Sequence, residues 1–483
     1  MTATAVTKRV EKLLVAKAST AEPRRGRVVL FLPGLAALFT ALYCAVSLAR
    51  FARWDTPSWD NAIFEQAIAG WARFGAPIVD IKAPGFNQLG DHFSPILAVL
   101  GPVYRLFPQA QTLLIAQAVL IGVSVIPIGR SAIRILGASR GAAVTIAYGL
   151  SVGVQAAIDV DFHEVAFAAP LLAFAGEAGL SGRWRTAAAW LLPLLLVKED
   201  LGATVAAIGA VAWLAGSRRI GYLLAGAGTV GAALTVLVVI PAFNPAGIFG
   251  YWSLVGGAGP GLWHNLAAGW GVKAGTLAAT FGVTGFLAVR SPWALATIPT
   301  LAWRFVGDRA SFWGVGWQYS LVLMPIVFIA ALDAVRRLQE RPGRRLPVRV
   351  LAWAAPRLPV VMLAGALVAC WWLPVRGLVD GTAFRPSPRT TATAEVIALM
   401  PPGSSVETNR GLITHLTSNY RVYWFDTIGD AVTPDFVLFD THTGNAGDIV
   451  AYAEGHHPSA RYRLLYDRDG YLLAGPADTR QPG

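Results

Sequence analysis

The sequence is poor in charge. Of its 483 residues only 14% are charged, whereas soluble domains carry roughly 25%. It has two cysteines, Cys44 and Cys370, which lie far apart in apolar stretches and have no zinc-type spacing. A Walker A motif, a G-x-S-x-G elbow and a dinucleotide-binding fingerprint are also missing. These absences exclude a soluble enzyme and a secreted disulfide scaffold, and they disfavour an ATPase and a serine hydrolase.

Apolar residues dominate instead. They make up 55% of the chain, the mean hydropathy is +0.52, and 50 Gly and 30 Pro are interspersed among them, a mixture typical of membrane helices. This composition predicts an α-helical polytopic membrane protein. About eleven apolar stretches approach the length that is needed to cross a bilayer. They cover residues 28–50, 110–129, 140–158, 163–180, 185–197, 201–216, 220–240, 273–289, 292–305, 319–335 and 358–375.

Arginine and lysine alternate with these stretches. Basic groups occur at every second loop, starting with the basic tail of residues 1–27, and such groups mark cytoplasmic loops. The pattern predicts a cytoplasmic N-terminus. It also accounts for most of the net charge of +12, so no nucleic-acid partner is expected. The first stretch is too long for the core of a signal peptide and is predicted to be an uncleaved anchor. The composition and the lack of organelle signals favour a multi-pass protein of a bacterial plasma membrane.

Residues 376–483 differ from the membrane part, residues 28–375. Short apolar runs alternate with turns, and the Asp-Gly pair at 469–470 is typical of a hairpin. Residues 395–400 are predicted to form a short helix, and residues 342–359 a basic cytoplasmic linker. We therefore expect a small α/β domain at the C-terminus, which the parity of the spans places outside the cell.

Ionisable residues gather on the predicted outer side of the membrane. Sixteen acidic residues lie within residues 1–375, and eleven of them fall in outer loops, together with all three histidines of that region. The positive-inside rule does not require this asymmetry, because acidic residues contribute little to orientation. The gathering predicts a functional site at this face, although wet, polar loops alone would give part of the same pattern.

The first outer loop, residues 51–108, contains two candidate groups. Asp60 follows a Pro-Ser turn and is expected at a helix N-terminus, either as a cap or as a general base at the membrane surface. Glu65 lies about one and a half turns further on and does not share a tight face with Asp60. Asp91 and His92 precede a predicted amphipathic helix, where they either cap the helix or serve the site.

Two further clusters lie at the outer ends of later spans. Asp161, His163 and Glu164 offer oxygen and nitrogen ligands that suit Mg²⁺, Mn²⁺ or Zn²⁺, but their spacing matches no known motif, and a polar loop with a helix cap is the alternative. The second cluster, residues 198–200, is Lys-Glu-Asp. Its lysine either binds a lipid phosphate or is neutralised by the neighbouring carboxylates.

Arg304 is a further candidate phosphate ligand, since it lies near the outer end of its span. The aromatic residues around it are expected to belong to the interfacial belt.

Six motifs in a fixed order resemble a known family. They are Trp59-Asp60-Asn-Ala-Ile-Phe-Glu65-Gln66, Asp91-His92-Phe-Ser-Pro95, Asp161-Phe-His163-Glu164, Val197-Lys-Glu-Asp200, Gln318-Tyr319-Ser320 and Thr408-Asn409-Arg410-Gly-Leu-Ile-Thr-His415-Leu416. In this order they resemble the bacterial membrane family known as domain of unknown function 2079. The resemblance covers residues 40–470. Members often have Tyr-Asp where this chain has Trp59-Asp60, and His where it has Gln318.

That family in turn resembles the GT-C glycosyltransferases, polytopic enzymes that use polyprenyl-phosphate sugars. The resemblance implies a sugar donor of that kind and an envelope glycan or lipid as acceptor. It implies that Asp60 is the general base and that Lys198 and Arg304 hold the donor phosphate. Further substrate-binding residues would be Glu65, Asp91, His92, Gln318 and Tyr319. A divalent metal, Mg²⁺ or Mn²⁺, would be held by residues drawn from Asp161, His163, Glu164, Glu199 and Asp200.

Two other classes of function stay open. A transporter or lipid flippase is one, but such proteins often show inverted repeats and a site at the bilayer midplane, and the sequence shows neither. A non-catalytic envelope scaffold is the other, and it predicts that Asp60 can be replaced without loss. A glycosyltransferase at the membrane surface is the favoured interpretation.

Overall fold

A computed structural model of the chain describes residues 23–55, 59–256, 261–340, 357–445 and 447–477. Most of the predicted basic tail and of the predicted linker at 342–359 therefore lies outside the described residues.

The part of the chain before the C-terminal domain is helical. Its α-helices are α1 (Pro23–Ala52), α2 (Asp60–Ala72), α3 (Gly101–Leu106), α4 (Ala110–Leu136), α5 (Ala138–Gly149), α6 (Val152–Asp159), α7 (Ala168–Leu180), α8 (Trp184–Leu191), α9 (Leu201–Leu214), α10 (Arg218–Leu234), α11 (Ile240–Phe243), α12 (Ser253–Gly256), α13 (Leu262–Ala267), α14 (Trp270–Gly282), α15 (Ile298–Val306), α16 (Ala310–Trp313), α17 (Leu323–Glu340) and α18 (Leu358–Ala369). A short π-helix, Thr235–Val239, joins α10 to α11, and 3₁₀ turns extend several of the other helices.

Helices cover most of each of the eleven predicted apolar stretches, but many of them are short. By length and composition four helices can cross a membrane within the described residues: Leu30–Ala52, Ala110–Leu136, Ala138–Asp159 and Arg218–Phe243. A fifth span results if Ala310–Ser320 and Leu323–Glu340, which meet at a 70° bend, are counted together. The chain is thus a multi-pass helical protein, and eleven crossings stay a prediction.

Small residues allow the helices to approach closely. Helix α4 lies at the centre and contacts α1, α5 and α7, while α9 and α10 form an antiparallel pair. In that pair a Cβ atom on Gly202 would lie 2.6 Å from the carbonyl oxygen of Gly228, so the two backbones touch. Such contacts are typical of membrane helices, which gain little from burying apolar surface against one another.

The C-terminal region forms a small mixed sheet with flanking helices. Its helices are α19 (Arg376–Val379), α20 (Pro388–Ala398), α21 (Arg410–Leu416) and α22 (Ile449–His456), and its strands are β1 (Ser405–Thr408), β2 (Arg421–Trp424), β3 (Phe436–Asp440), β4 (Tyr462–Arg468) and β5 (Tyr471–Pro476). The strand order is β2-β1-β3-β5-β4. Strand β1 pairs in parallel with β2 and β3, whereas β5 pairs antiparallel with β3 and β4.

Local turn chemistry explains the antiparallel edge of this sheet. Asp469 and Gly470 both have positive φ, 50° and 80°, as a two-residue hairpin turn requires, so the predicted hairpin forms. The predicted helix at 395–400 was placed too late. Helix α20 begins at Pro388, because the Ser387 side chain accepts a hydrogen bond from the Arg389 amide at 3.3 Å and caps it.

The first outer loop and the C-terminal domain share one hydrophobic core. Helix α2 and the segment after it contribute buried side chains that pack against buried side chains of the sheet domain. The shared cluster includes Ala62, Ile63, Ala67, Val79, Ile81, Val396, Leu412, Ile413, Leu416 and Val422. The Gln66 side chain also donates to the carbonyl of Val422 at 3.1 Å. The sheet domain and the loop after the first helix therefore lie on the same side of the helical bundle.

Candidate active site

A cavity of about 470 Å³ lies where the first outer loop, the helical bundle and the C-terminal domain meet. It gathers most of the ionisable residues that were predicted to form a site, together with many aromatic side chains. The polar and charged lining residues are Asp60, Lys82, Gln88, His92, His163, Glu164, Lys198, Glu199, Asp200, Tyr251, Arg309, Ser311, Gln318, Tyr319 and Arg410.

Asp60 occupies the first position of α2, as its Pro-Ser context predicted. A carboxylate oxygen of Asp60 lies 3.3 Å from Nε2 of His163. The His163 side chain is 2% exposed and that of Asp60 is 30% exposed. The imidazole thus lies behind the carboxylate, and the carboxylate faces the cavity.

A side chain of α4, that of Gln117, holds the turn that carries His163 through two hydrogen bonds. The Gln117 side chain accepts from the His163 amide at 3.0 Å and donates to the Asp161 carbonyl at 2.7 Å. Asp161 has φ of +66°, a left-handed conformation that is uncommon for a residue other than glycine. Asp161 thus shapes the turn that presents His163, and it does not line the cavity.

Lys198 is paired inside the protein. Its ammonium lies 2.5 Å from a carboxylate oxygen of Glu164, whose side chain is 1% exposed. Neutralisation by neighbouring carboxylates, one of the two alternatives for Lys198, is therefore realised in this structure. Whether it also contacts a phosphate stays a prediction.

His92 links the first outer loop to the turn at residues 198–200. Its Nδ1 lies 2.8 Å from Glu199 Oε1, and the Phe93 amide donates to Glu199 Oε2 at 3.3 Å. Burial lowers the pKa of His92, but the nearby carboxylates of Glu199 and Asp91 outweigh burial and raise it overall. Burial raises the pKa of Asp91, but His92 and the ion-paired Lys82 lower it overall.

Arg304 requires a correction, because its guanidinium does not line the cavity. It is fully buried and donates to the carbonyls of Phe312 at 2.8 Å and Gly314 at 2.6 Å, and to Ser320 Oγ at 3.2 Å. With its donors used in this way, Arg304 fixes the loop that carries Gln318 and Tyr319 into the cavity wall.

Glu65 also lies away from the cavity. Its buried carboxylate accepts from the hydroxyls of Tyr104 at 2.9 Å and Ser418 at 2.7 Å, and from that of Thr417. Burial raises the pKa of Glu65, and the three hydroxyl donors offset only part of this effect. Glu65 therefore connects the first outer loop to the C-terminal domain.

Six polar lining residues were not predicted as site residues from the sequence: Lys82, Gln88, Tyr251, Arg309, Ser311 and Arg410. Arg309 lies near Arg304, in a region whose aromatic residues were attributed to the interfacial belt, whereas Tyr251 lies in a loop that no motif singled out. Arg410 comes from the C-terminal domain, and its guanidinium lies 5.7 Å from the ring of Trp59. The motif at 408–416 was the one available signal for Arg410. The position of Arg410 at the cavity depends on how the C-terminal domain packs against the helical part of the chain.

The predicted metal ligands are not arranged around a common point. Across the described residues no three His, Cys, Asp or Glu side chains are grouped as a metal ion needs. Instead, His163 faces Asp60, Glu164 binds Lys198 and Glu199 binds His92. The donor set therefore does not fit a resident Mg²⁺ or Mn²⁺.

Fold and site together define a multi-pass helical membrane protein with a site at one end of its bundle and a small α/β domain over that site. The family description "Predicted membrane protein (DUF2079)" matches residues 50–473. The chain belongs to this family, which confirms the resemblance seen in the motifs. No match was found among curated protein sequences.

The chain is also similar to a solved structure, ArnT from Cupriavidus metallidurans bound to undecaprenyl phosphate. The TM-score is 0.55 and the identity is 14%, over 93% of this chain and 99% of that one. At this identity the likeness shows the fold alone, and it confirms the predicted polytopic helical fold with a small C-terminal α/β domain.

Proposed function

We propose that this protein is a membrane glycosyltransferase that moves a sugar from a polyprenyl-phosphate donor to an envelope glycan or lipid. The observation that carries the proposal is the Asp60 carboxylate, which faces the cavity and has His163 Nε2 behind it at 3.3 Å. An acceptor hydroxyl needs such a base in order to attack an anomeric carbon. The fold of ArnT, crystallised with undecaprenyl phosphate, supports a lipid-linked donor.

In the proposed reaction Asp60 takes the proton of the acceptor hydroxyl. The acceptor oxygen forms a bond to the anomeric carbon while the bond from that carbon to the phosphate oxygen breaks. The electron pair leaves on the phosphate, and the configuration at the anomeric carbon is inverted. A positioned general base contributes about 10² to 10⁴ in rate, and cations near the departing phosphate stabilise its charge.

The reaction is proposed to take place at the outer face of the plasma membrane. The first outer loop and the C-terminal domain share a core, which supports their placement on one side of the membrane. The basic residues of alternate loops favour the cytoplasm for the opposite side. A lipid-linked sugar would then enter from the outer leaflet, and the α/β domain would lie above it.

Transfer of label from radiolabelled polyprenyl-phosphate sugars tests the proposal. The experiment compares purified wild-type protein in membranes with Asp60→Asn and with Asp80→Asn. Asp80 lies in the same loop, accepts a hydrogen bond from the Gly85 amide at 2.9 Å, and does not line the cavity. Transfer by wild type and Asp80→Asn but not by folded Asp60→Asn is the expected result.

Two other results would point elsewhere. Movement of an intact labelled lipid between leaflets, without loss of its sugar, would favour a flippase. Equal behaviour of all three proteins, with no transfer from any donor, would favour a scaffold.

A further inference from the structure

The lysine and arginine side chains that line the cavity fall into two groups. Both lysines, Lys82 and Lys198, form ion pairs with carboxylates of the protein. The two arginines, Arg309 and Arg410, line the same cavity, but within the described part of the chain neither guanidinium forms an ion pair. A phosphate that enters the cavity therefore finds uncompensated positive charge at these two arginines.

Arg410 lies beside the residue that precedes the proposed base. Its guanidinium carbon is 5.7 Å from the centre of the Trp59 ring, within the range of a cation–π contact. The Trp59 ring also packs edge-on against Trp424, with 3.6 Å between the ring centres and 88° between the ring planes. Trp59 thus contacts two side chains of the C-terminal domain, and the next residue along the chain is Asp60. Arg410 and Asp60 line one cavity from two different parts of the chain.

The residues on either side of Arg410 serve the packing of the C-terminal domain. The Asn409 side chain donates to the Asp440 carbonyl at 2.7 Å and accepts from the Asp440 amide at 2.9 Å. A Cβ atom on Gly411 would collide with the carboxylate of Asp440, which is fully buried. Asn409 and Gly411 therefore fix the start of α21. Arg410 lies between them, but its own side chain is exposed and extends to the cavity.

The other end of α21 is fixed against the first outer loop. The centre of the His415 ring lies 3.9 Å from that of Trp54. Together with the contact between Arg410 and Trp59, this packing sets the position of Arg410 relative to Asp60 before any ligand binds. A donor that is held in place in this way loses less conformational entropy when it binds.

Arg309 is held in a more local way. Its guanidinium carbon lies 5.9 Å from the centre of the Phe312 ring, three residues further along the same segment. This contact stays within the helical part of the chain, whereas the contact of Arg410 joins the C-terminal domain to the loop that carries Asp60. Arg410 is therefore the stronger candidate of the two for a contact that the reaction needs.

We propose that Arg410 binds the phosphate of the lipid-linked donor, so that the C-terminal domain supplies part of the donor site. A guanidinium presents several N–H donors in one plane, and these match two oxygens of a phosphate. The proposal gives the motif at 408–416 a function, since Asn409 and Gly411 hold the turn from which Arg410 extends. It rests on the proposed function, because it presupposes a polyprenyl phosphate in the cavity.

Binding of radiolabelled undecaprenyl phosphate to the full-length protein in nanodiscs of zwitterionic lipid tests this contact. Arg410→Gln is expected to raise Kd about tenfold to a hundredfold, the effect of losing hydrogen bonds to a charged group. Arg410→Lys keeps the charge but loses the planar set of donors, so a smaller rise is expected. Binding of undecaprenol, which lacks the phosphate, is expected to be the same in all three proteins.

Arg421→Gln is the matched control, because Arg421 is an exposed arginine of the same domain that does not line the cavity. Its Kd for undecaprenyl phosphate is expected to equal that of wild type. Arg309→Gln compares the two lining arginines. A raised Kd for Arg410→Gln, with or without a raised Kd for Arg309→Gln, supports the proposal, whereas a raised Kd for Arg309→Gln alone overturns it.

Two further results would also overturn the proposal. If Arg410→Gln weakens binding of undecaprenol as much as binding of undecaprenyl phosphate, Arg410 only holds the domain in place. If its Kd for undecaprenyl phosphate is that of wild type while KM for the acceptor is raised, Arg410 serves the acceptor.

The outcomes separate this contact from the proposed function. Wild-type affinity of a folded Arg410→Gln protein for undecaprenyl phosphate would overturn the contact, even if wild type transfers sugar and Asp60→Asn does not. Failure of wild type itself to bind undecaprenyl phosphate and to transfer any sugar would overturn both.

Discussion

Nε2 of His163 lies 3.3 Å from the carboxylate of Asp60, and the imidazole is buried while the carboxylate faces the cavity. Asp60 begins α2 and His163 follows α6, so tertiary packing alone brings them together. An imidazole at this distance can hold the carboxylate in one orientation. A base that is held in one orientation before the substrate arrives loses little entropy in the reaction.

Removal of this support should slow the chemical step. We expect His163→Ala to lower kcat about tenfold to a hundredfold, because a misplaced catalytic group is costly, while KM for the donor changes little. His163→Gln, which keeps an N–H donor, should lose less. Steady-state kinetics on both variants checks this, and full activity of His163→Ala would show that Asp60 needs no such support.

The Lys198–Glu164 pair gives a prediction about stability. Lys198→Met should destabilise the protein by about 3–5 kcal/mol, because it leaves the buried Glu164 carboxylate without its partner. The double variant with Glu164→Leu should recover most of this loss. Unfolding of the four proteins of the cycle in one detergent measures the coupling.

Activity distinguishes the two interpretations of Lys198. If the lysine only neutralises Glu164, the double variant should transfer sugar nearly as well as wild type. A stable double variant with a strongly raised KM for the donor would instead assign Lys198 to the phosphate.

Features that depend on neighbouring residues could be predicted from the sequence. Apolar stretches became helices because length and composition determine helices in a membrane. The Asp-Gly pair at 469–470 became a hairpin turn because both residues accept positive φ. Asp60 is the first residue of α2, as its local sequence predicted.

Features that depend on how distant segments of the chain pack against one another could not be predicted. Arg304 was assigned to the donor phosphate from its place near the outer end of its span and from the resemblance to GT-C glycosyltransferases, and Glu65 was assigned to substrate from that resemblance. Instead, Arg304 binds a loop and Glu65 binds the C-terminal domain. Tyr251 was missed for the opposite reason, since one more aromatic residue in an outer loop carries no signal until His92 is placed beside it.

Glu65 should matter for stability more than for catalysis. Glu65→Ala leaves the hydroxyls of Tyr104, Thr417 and Ser418 without their acceptor. We expect a loss of about 1–3 kcal/mol, the cost of unsatisfied buried groups. Limited proteolysis should then cleave the C-terminal domain faster, while KM of the intact protein stays near that of wild type.

Glu395→Ala is the matched control for Glu65, because Glu395 also accepts from a tyrosine hydroxyl, that of Tyr466 at 2.9 Å, but at an exposed position. Its stability should change little. Normal stability of Glu65→Ala together with a raised KM would restore the substrate-binding role that was predicted from the sequence.

His415 should make docking of the C-terminal domain sensitive to acid. The centroid of its ring lies 3.9 Å from that of Trp54 and 4.2 Å from that of Phe51. Burial, followed by the charge of Arg389, lowers the pKa of His415 from 6.5 to about 3. Between about pH 3 and pH 6.5 the undocked chain binds a proton at His415 that the docked chain does not bind. The contribution of His415 to the stability of docking is therefore complete above pH 6.5 and falls as the pH decreases. At pH 5 the loss should be about 2 kcal/mol.

His415→Phe keeps the ring contacts and cannot be protonated, so proteolysis of the domain should accelerate between pH 7 and pH 5 in wild type more than in this variant. Parallel pH profiles of the two proteins would mean that His415 stays docked when it is protonated.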